Sequence, residues 1–378
     1  MPRLSRISKE AKRWFALALM LLLLLSSLAF SGCASSDRGQ AAEVSQDEGT
    51  TDPVVEAPKT IIDPLNGEVV TSAELITRRP LAVKVENDPA ARPQSGLADA
   101  EMVIEELVEG GVTRFICFFL ANQSAALGPN RSVRPSDIDI TFYLKPLLIC
   151  SGGAPQVMAM VQQSGLMYLE EDGTHFWRDH KRSAPHNLYT NTEKLRAYLA
   201  EQGDTYNQAV AAGLSFYSPE ELAAIQAALA RGEYPEILVG KIPVKIGTIS
   251  IAYESSCAVR YSYDPASNKY LRFVQNKPHT DLTTGAQLAP RNVIVQYVQL
   301  SSSGVKDVLG TETPNSQVVG KGQCLVFSGG EVVAGTWSKA SRNDPTYYYD
   351  AIGREIKLNP GQTWIHLVPN SIKVTFGV

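Results

Sequence analysis

The chain has 378 residues, with 35 Lys and Arg against 39 Asp and Glu, so its formal net charge is −4 at pH 7. This balance excludes a general nucleic-acid-binding protein, because such proteins gain most of their affinity by neutralising phosphates with an excess of basic side chains. A binding site for an anion in this chain must therefore be a local basic patch on an acidic protein.

The first 32 residues have the organisation of a bacterial signal peptide. A basic start is followed by an uncharged, mostly apolar run over residues 14–30, which fits the core of a signal peptide and is short for a membrane-spanning helix. The run ends in Phe-Ser-Gly-Cys33, which resembles the lipobox of bacterial lipoproteins, with phenylalanine in place of the usual leucine. We expect cleavage before Cys33 and a lipid on its thiol, with an ordinary secreted protein as the alternative. Removing residues 1–32 takes away a net +4 and leaves a mature charge of −4 − 4 = −8.

Composition divides the rest of the chain into a tether and two domains. Residues 33–58 are rich in Ser, Ala, Gly, Thr, Asp and Glu and nearly lack aromatic residues, which predicts a flexible tether. The remaining residues are too many for one ordinary core. Helix and strand patterns mix over residues 59–235, whereas residues 236–378 show strand patterns without a long helix, so we place the domain boundary near residue 235.

The first domain is predicted to be a mixed α/β domain. Its predicted strands cover residues 81–86, 102–109, 113–120 and 147–150, and its predicted helices cover residues 136–144, 157–163, 192–201 and 218–231. The last helix has the clearest signals, because Ser218 is a typical N-cap, Pro219 takes the first helical position and Glu221 stands where a capping box needs an acid.

The second domain is predicted to be all-β and mainly antiparallel. Alternating apolar patterns predict strands at residues 248–253, 259–263, 270–274, 292–300 and 323–327. The predicted fold class is therefore α+β, with a mixed α/β domain followed by an antiparallel all-β domain.

Two basic loops of the first domain predict a binding site for an anion. They read GPNRSVRPSDID over residues 128–139 and RDHKRSAPHNLYT over residues 178–190, and the second has neither helical nor strand periodicity. Arginine suits phosphate and carboxylate groups because its planar fork contacts two oxygens at once. We expect the loops to converge on a doubly charged anion, with ordinary solvated loops as the alternative. The residues predicted to bind it are Arg131, Arg134, Arg178, Asp179, Arg182, His186, Asn187 and Tyr189.

Acids and a histidine near these loops are the candidates for catalysis. Glu105, Glu106 and Glu109 lie on one predicted strand, where carboxylates could hold a divalent ion or serve as general base. Glu109 and His186 are the two catalytic candidates. The alternatives are salt bridges from the acids to the arginines and a structural hydrogen bond from the histidine. The sequence holds no G-x-S-x-G, H-E-x-x-H, P-loop or dinucleotide-binding motif, so we assign no reaction, cofactor or metal.

Two other groups of residues have two interpretations each. Ser151-Gly152-Gly153 follows a predicted strand and either offers backbone N–H groups to an anion or forms a tight turn. Trp337, Trp364 and the tyrosines at 347–349 suit a surface that binds sugar or peptide, or an ordinary β core.

The cysteines give little support to a zinc site or a redox motif. Cys117, Cys150, Cys257 and Cys324 form no Cys-x-x-Cys pair. Cys117 and Cys150 lie inside apolar runs, which favours buried free thiols. A disulfide remains open in an extracytoplasmic compartment.

Several long motifs resemble those of the YerB-type lipoprotein family. They are RPQSGL at 92–97, LVEGGVTRF at 107–115, the two basic loops, GTWSK at 335–339 and NPGQTWIHLVP at 359–369. The resemblance covers nearly the whole mature chain and implies an N-terminal and a C-terminal family domain. It implies an envelope lipoprotein, of a kind found mostly in Gram-positive bacteria, and it supplies no reaction.

These features predict a lipid-anchored lipoprotein on the extracytoplasmic face of the cell membrane. Its basic pocket would bind a phosphate- or carboxylate-bearing wall component, and its second domain would contact glycan or a protein partner. One alternative is an enzyme acting on phosphorylated envelope glycans or lipids, by phosphotransfer or hydrolysis. Another is a purely structural module for protein partners. The membrane is an expected partner and nucleic acid is not.

We predict that the mature protein partitions with membranes through lipid on Cys33, because the two acyl chains of a bacterial lipoprotein make anchoring firm. Cell fractionation of Cys33→Ala beside the parent checks this, and the variant should lose the processed, membrane-bound form. Unchanged membrane retention of an uncleaved chain would show instead that residues 14–30 are a signal anchor.

Overall fold

The computed structural model of the protein describes residues 60–232, 246–307 and 310–377. The predicted signal peptide, the lipidation site at Cys33, the tether and the predicted boundary near residue 235 lie outside these ranges. Within them, no helix is long and apolar enough to cross a membrane.

The described residues form 22 strands and five α-helices. The strands are β1 (Ile61–Ile62), β2 (Val69–Val70), β3 (Leu81–Glu86), β4 (Met102–Leu107), β5 (Thr113–Phe119), β6 (Leu147–Cys150), β7 (Met167–Glu170), β8 (Trp177–Arg178), β9 (Leu188–Tyr189), β10 (Ser215–Phe216), β11 (Thr248–Ile251), β12 (Val259–Asp264), β13 (Lys269–Val274), β14 (Lys277–Pro278), β15 (Asn292–Lys306), β16 (Glu312–Gln317), β17 (Gly320–Ser328), β18 (Glu331–Lys339), β19 (Tyr347–Tyr349), β20 (Lys357–Leu358), β21 (Thr363–Pro369) and β22 (Val374–Gly377). The helices are α1 (Glu74–Thr77), α2 (Pro135–Thr141), α3 (Pro155–Ser164), α4 (Thr192–Glu201) and α5 (Pro219–Ala230).

Local sequence signals explain the elements whose bounds agree with the predictions. β3, β6 and α4 have the predicted bounds. The capping box of α5 is present, because Ser218 Oγ accepts from the Glu221 N–H at 3.1 Å and a Glu221 carboxylate oxygen accepts from the Ser218 N–H at 2.9 Å. The basic stretch at residues 178–190 was predicted to be a loop without strand structure. In the structure its two ends pair, because β8 lies antiparallel to β9, with Arg178 opposite Leu188. The stretch is therefore the loop of a small hairpin.

An eleven-stranded sheet runs through the molecule in the order β19-β18-β17-β15-β21-β4-β5-β3-β6-β7, with β16 paired to β15. The pairs β15/β21, β21/β4, β3/β6 and β6/β7 are parallel. A second sheet of five antiparallel strands has the order β14-β13-β12-β11-β22. The coarser part of the predicted α+β class, a mixed fold rich in sheet, is confirmed. Its division into a mixed α/β half and an antiparallel all-β half is not, because β15 and β21 of the second half pair parallel and join the sheet of the first.

The prediction of two domains with separate cores is wrong. β4 from the first half pairs with β21 from the second, with Met102 opposite Thr363 and Ile104 opposite Ile365. One hydrophobic cluster contains Phe118 of the first half together with Ile365 of the second. Composition changes along the chain, but the parallel pairing that joins distant strands leaves no signal in local patterns.

A buried polar cluster holds the two halves together beside this shared sheet. Arg272 of β13 donates to a carboxylate oxygen of Glu105 of β4 at 2.9 Å, and both side chains are fully buried. Arg272 also donates to the Tyr261 hydroxyl at 2.6 Å and to His279 Nδ1 at 3.0 Å. His366 Nε2 lies 2.9 Å from the same hydroxyl. Each of the three guanidinium nitrogens of Arg272 thus donates a hydrogen bond, as a buried cation requires.

We predict that Arg272→Met destabilises the fold by about 3–5 kcal/mol, because it leaves the Glu105 carboxylate buried without its cation. Arg354→Met is the control, since its pair with Asp350 is exposed and should contribute under about 1 kcal/mol. Urea unfolding followed by fluorescence and circular dichroism measures both. Coincident transitions are expected if the two halves unfold together; a loss no larger than that of the control would contradict the role assigned to Arg272.

The buried histidines His279 and His366 make the stability of the fold depend on pH. Burial, and then the charge of Arg272, holds the pKa of His279 and of His366 well below the ordinary range. A histidine in the unfolded chain takes up a proton below about pH 6.5, whereas His279 stays neutral in the fold. The contribution of this histidine is therefore complete above that pH and falls as the pH drops.

The free energy of unfolding of His279→Gln should lie below that of the parent at pH 7.5. The gap should narrow by about 1.4 kcal/mol per pH unit below about pH 6, because only the parent then loses stability through this side chain. Comparing the two proteins cancels the contributions of the buried acids. His180→Gln, at an exposed histidine, should show no such trend, and a pH-independent gap for His279→Gln would refute the assignment.

Candidate functional site

The carboxyl ends of β3, β4, β6 and β7 meet at one edge of the main sheet, because these four strands run in the same direction. Ligands of open α/β sheets commonly bind outside such an edge. A cleft of about 580 Å³ lies there. Its charged lining residues are Arg114, Arg131, Arg134, Lys306, Glu109, Glu170 and Asp307.

The floor of the cleft fixes the first basic loop. Lys84 Nζ contacts the Glu106 carboxylate and lies 2.6 Å from Asp137 Oδ1, and all three side chains are buried. Asp137 Oδ2 accepts from the Arg134 backbone N–H at 2.6 Å, and Ser136 Oγ donates to Glu106 at 2.6 Å. Burial, and then the charge of the neighbouring Glu106, raises the pKa of Asp137 to about 8, although Lys84 acts in the opposite direction. The start of α2 is thereby bound to strands β3 and β4.

Three arginines converge in the cleft. Arg131 Nε lies 2.7 Å from Glu86 Oε1, an ion pair by distance although the N–H is not aligned for a hydrogen bond. Arg134 donates twice to one oxygen of Glu109, at 2.9 and 2.6 Å. Arg114 donates to the Ser132 carbonyl at 2.9 Å. Burial, and then the charges of Arg134 and Arg131, lowers the pKa of Arg114 to about 10. Three guanidinium groups therefore lie close together at this side of the cleft, with Glu109 and Glu86 paired to two of them.

A glycine turn and a helix N-terminus form another wall of the cleft. Gly152 has φ of +75°, a conformation that favours glycine, and a side chain there would meet Glu170. The turn leads into α3, whose first turn carries no side-chain cap from the described residues. Its free N–H groups and its helix dipole favour an anion. Of the two interpretations of Ser151-Gly152-Gly153, the turn is present, and it places these donors beside the arginines.

The second basic loop reaches this region through His186. Its Nδ1 lies 2.9 Å from Glu86 Oε2, so Glu86 connects His186 to Arg131. The two loops do meet, as predicted, but through a shared acid and not through a common set of arginines.

The other arginines of the second loop lie elsewhere, so the prediction that they share a pocket with Arg131 or Arg134 is wrong. Arg178 donates to Glu171 at 2.6 Å and to Asn187 Oδ1 at 2.8 Å. Arg182 donates to the Ala91 and Pro93 carbonyls at 2.9 and 2.7 Å. These local acceptors satisfy both guanidinium groups, and both fix the shape of the loop.

The remaining predicted residues of the second loop are structural. Asn187 is buried and bonds the loop on both sides, through Arg178 and through the Arg182 carbonyl. Asp179 Oδ1 accepts from the Lys181 N–H at 2.9 Å within a turn. Tyr189 is buried, its ring stacks on Trp177 at 6.1 Å, and its hydroxyl has no hydrogen-bond partner among the described residues.

The other candidates for binding or chemistry are mostly core residues. Trp337 and Trp364 are buried, and their indole N–H groups bond the Tyr297 carbonyl and Gln362, so the core interpretation of these aromatic residues holds. Cys117, Cys150, Cys257 and Cys324 are buried free thiols. Within the described ranges, no three His, Cys, Asp or Glu side chains lie where they could share a metal ion.

Arg114 is a residue of the cleft that was not among the predicted site residues. It lies in TRFICFF, an apolar run predicted to be a buried strand. The available signal was its register, because in the hairpin of β4 and β5 it faces Glu106, and in the pair β3/β5 it faces Glu86. Residues opposite each other on neighbouring strands share a face of the sheet, so this arginine had to point toward the acids of the cleft.

Comparisons with known proteins agree with the motif resemblance. Two models of a family described as "Protein of unknown function (DUF3048)" match, the N-terminal domain over residues 65–205 and the C-terminal domain over residues 249–365. "Putative lipoprotein YerB" of Bacillus subtilis (strain 168) is 29% identical over 323 residues, which are 84% of this chain and 89% of that protein. The crystal structure of the YerB protein from Bacillus subtilis has a TM-score of 0.68 and 25% identity, and the match covers 83% of this chain and 99% of that one.

Proposed function

The chain belongs to the DUF3048 family, and from this premise we propose that it is an envelope lipoprotein that binds a phosphate- or carboxylate-bearing wall component in the arginine cleft. The observation that carries the proposal is the convergence of Arg114, Arg131 and Arg134 with the start of α3 around one open space. The membrane would be reached through lipid on Cys33, as the name of the Bacillus subtilis relative suggests for that protein.

The donors needed for an anion are available in the cleft. Among the described residues, none makes a hydrogen bond or an ion pair with the two terminal nitrogens of Arg131, and no acid lies within salt-bridge distance of Arg114. The N–H groups of the first turn of α3 have no side-chain cap. Charge-assisted hydrogen bonds from such donors to phosphate or carboxylate oxygens are roughly twice as strong as neutral ones.

Electrostatics favours a bound anion over an empty cleft. Arg114 is about nine-tenths buried and has two like-charged neighbours, which, after burial itself, lower its pKa to about 10. Like charges repel one another more strongly in a partly desolvated cleft than in water. An anion that contacts Arg114 and Arg131 relieves this repulsion, so its binding should stabilise the fold.

A second candidate, an enzyme acting on phosphorylated envelope glycans or lipids, is favoured by one contact. When His186 Nδ1 donates to Glu86, at 2.9 Å, Nε2 is left as a base. Glu109 is the poorer base, because hydrogen bonds from Arg134 and Thr313 outweigh burial and lower its pKa. Release of inorganic phosphate from pyrophosphate by the parent, and its loss in His186→Gln, would favour this candidate over a binding protein.

The third hypothesis, a structural module that offers an aromatic surface to protein partners, has less support. Trp337, Trp364 and Tyr348 are buried, so these side chains cannot form the surface on which that reading depended.

We predict that Arg131→Gln weakens binding of pyrophosphate about tenfold or more, because hydrogen bonds to a charged group contribute about 1.5–3 kcal/mol. Thermal unfolding over a pyrophosphate titration gives the affinity, since a ligand of the native state raises the melting temperature by mass action. Arg178→Gln is the matched control, because Arg178 pairs with Glu171 outside the cleft, and its affinity should stay within about twofold of the parent. Equal effects of the two variants, or no shift in the parent, would refute the proposed site.

A further inference from the structure

One acid already occupies part of the cationic cleft. Glu109 follows β4, and its Oε2 accepts from both Nε and a terminal nitrogen of Arg134, at 2.9 and 2.6 Å. This carboxylate uses the Arg134 fork in the way that a ligand oxygen would. Arg134 is therefore not open to an anion while Glu109 remains in place.

The other oxygen of Glu109 holds an element from the second half of the chain. This element, here called the arm, is the hairpin formed by the end of β15, from Gln299, and by β16. Thr313 of the arm donates its hydroxyl to Glu109 Oε1. Lys306 and Asp307 of the arm line the same cleft. Glu109 thus connects the contents of the cleft with the position of the arm.

The segment that carries Glu109 has room to move. Gly110 and Gly111 follow it with φ of +67° and +73°. Nothing lies within 4 Å of where a side chain on Gly110 would begin, whereas Gly111 lies against Glu254. The Glu109 side chain is 8% exposed, so its carboxylate leaves this place only when a ligand takes over Arg134. The turn can therefore change at Gly110, where no neighbouring side chain is in the way.

We propose that Glu109 is an internal occupant of the cleft that a ligand must displace from Arg134, and that its displacement releases Thr313 and loosens the arm where it meets the cleft. This inference rests on the proposed function. Exchange of one carboxylate for another gains nothing at Arg134. A phosphate dianion has more charge and a third oxygen, so it can replace Glu109 and also contact Arg114 and Arg131. The cleft accordingly selects phosphate-bearing groups over carboxylates.

The test compares the binding of pyrophosphate and of acetate by isothermal titration to the parent and to Glu109→Gln. The variant should bind pyrophosphate about tenfold more tightly or better, because the competing charge is gone, and acetate binding should become measurable. Glu312→Gln is the control: it removes the same charge from the arm, where Glu312 bonds Ser302 and not an arginine. Its affinity should stay within about twofold of the parent.

Hydrogen exchange of the arm tests the second half of the proposal. Pyrophosphate should speed exchange in residues 299–307 and 312–317 of the parent, and Glu109→Gln should show fast exchange there without ligand. Thr313→Val removes the hydrogen bond of the arm to Glu109 but keeps the pair of Glu109 with Arg134. This variant should show fast exchange in the arm without ligand, and its affinity for pyrophosphate should stay near that of the parent.

The outcomes separate this inference from the function on which it rests. Equal affinities in the parent and Glu109→Gln, with binding present in both, would overturn the displacement and leave the anion site standing. Binding in neither protein would overturn both. Tighter binding in Glu109→Gln with no change in the exchange of the arm would overturn the coupling. Circular dichroism of each variant confirms that the fold is retained.

Discussion

The buried ion pair between Glu105 and Arg272 is the interaction on which the rest of the fold depends. It lies 2.9 Å across, has no exposure to water and joins β4 of the first half to β13 of the second. Opening a buried pair leaves a charge without compensation, which costs more than any surface contact contributes. Thr113, Tyr261 and His279 satisfy the remaining hydrogen bonds. The two family models therefore describe parts of one compact unit. Either half alone should be unstable, because it would expose its member of the Glu105–Arg272 pair without the partner.

The same strand places the candidate site. Successive side chains of a strand point to opposite faces, so Glu105 faces Arg272 while Glu106 faces Lys84 and, through it, Asp137 at the start of α2. One residue of β4 joins the two halves, and the next positions the loop that carries Arg131 and Arg134. The strand ends two residues before Glu109. Any shift of β4 in register would exchange these faces and lose both the buried pair and the cleft.

Local physics made part of this predictable. The capping signals of α5, the apolar runs of β3 and β6 and the position of the first basic loop all depend on neighbours in sequence. The wrong predictions concern which residues lie close together in the folded chain. Arg178 and Arg182 looked like ligands of the anion, but acceptors close to them in the fold already satisfy both side chains. Arg114 was hidden because a single basic residue in an apolar strand gives no pattern of its own. The pairing of β21 with β4 joins residues far apart in the chain, which no local pattern encodes.

The charges of the cleft explain how an acidic protein can carry such a site and remain folded without a ligand. Arg131 has Glu86 and Arg134 has Glu109, so two of the three guanidinium groups are balanced internally. Only Arg114, among the arginines of the described cleft, lacks an acid within ion-pair distance. An entering anion meets Arg114 and the terminal nitrogens of Arg131 directly, and it reaches Arg134 only by competing with Glu109. The two acids are held differently. Glu86 lies in a strand and also contacts His186, whereas Glu109 lies at the start of a turn that contains two glycines. Selectivity therefore depends on Glu109, the carboxylate that occupies the fork of Arg134.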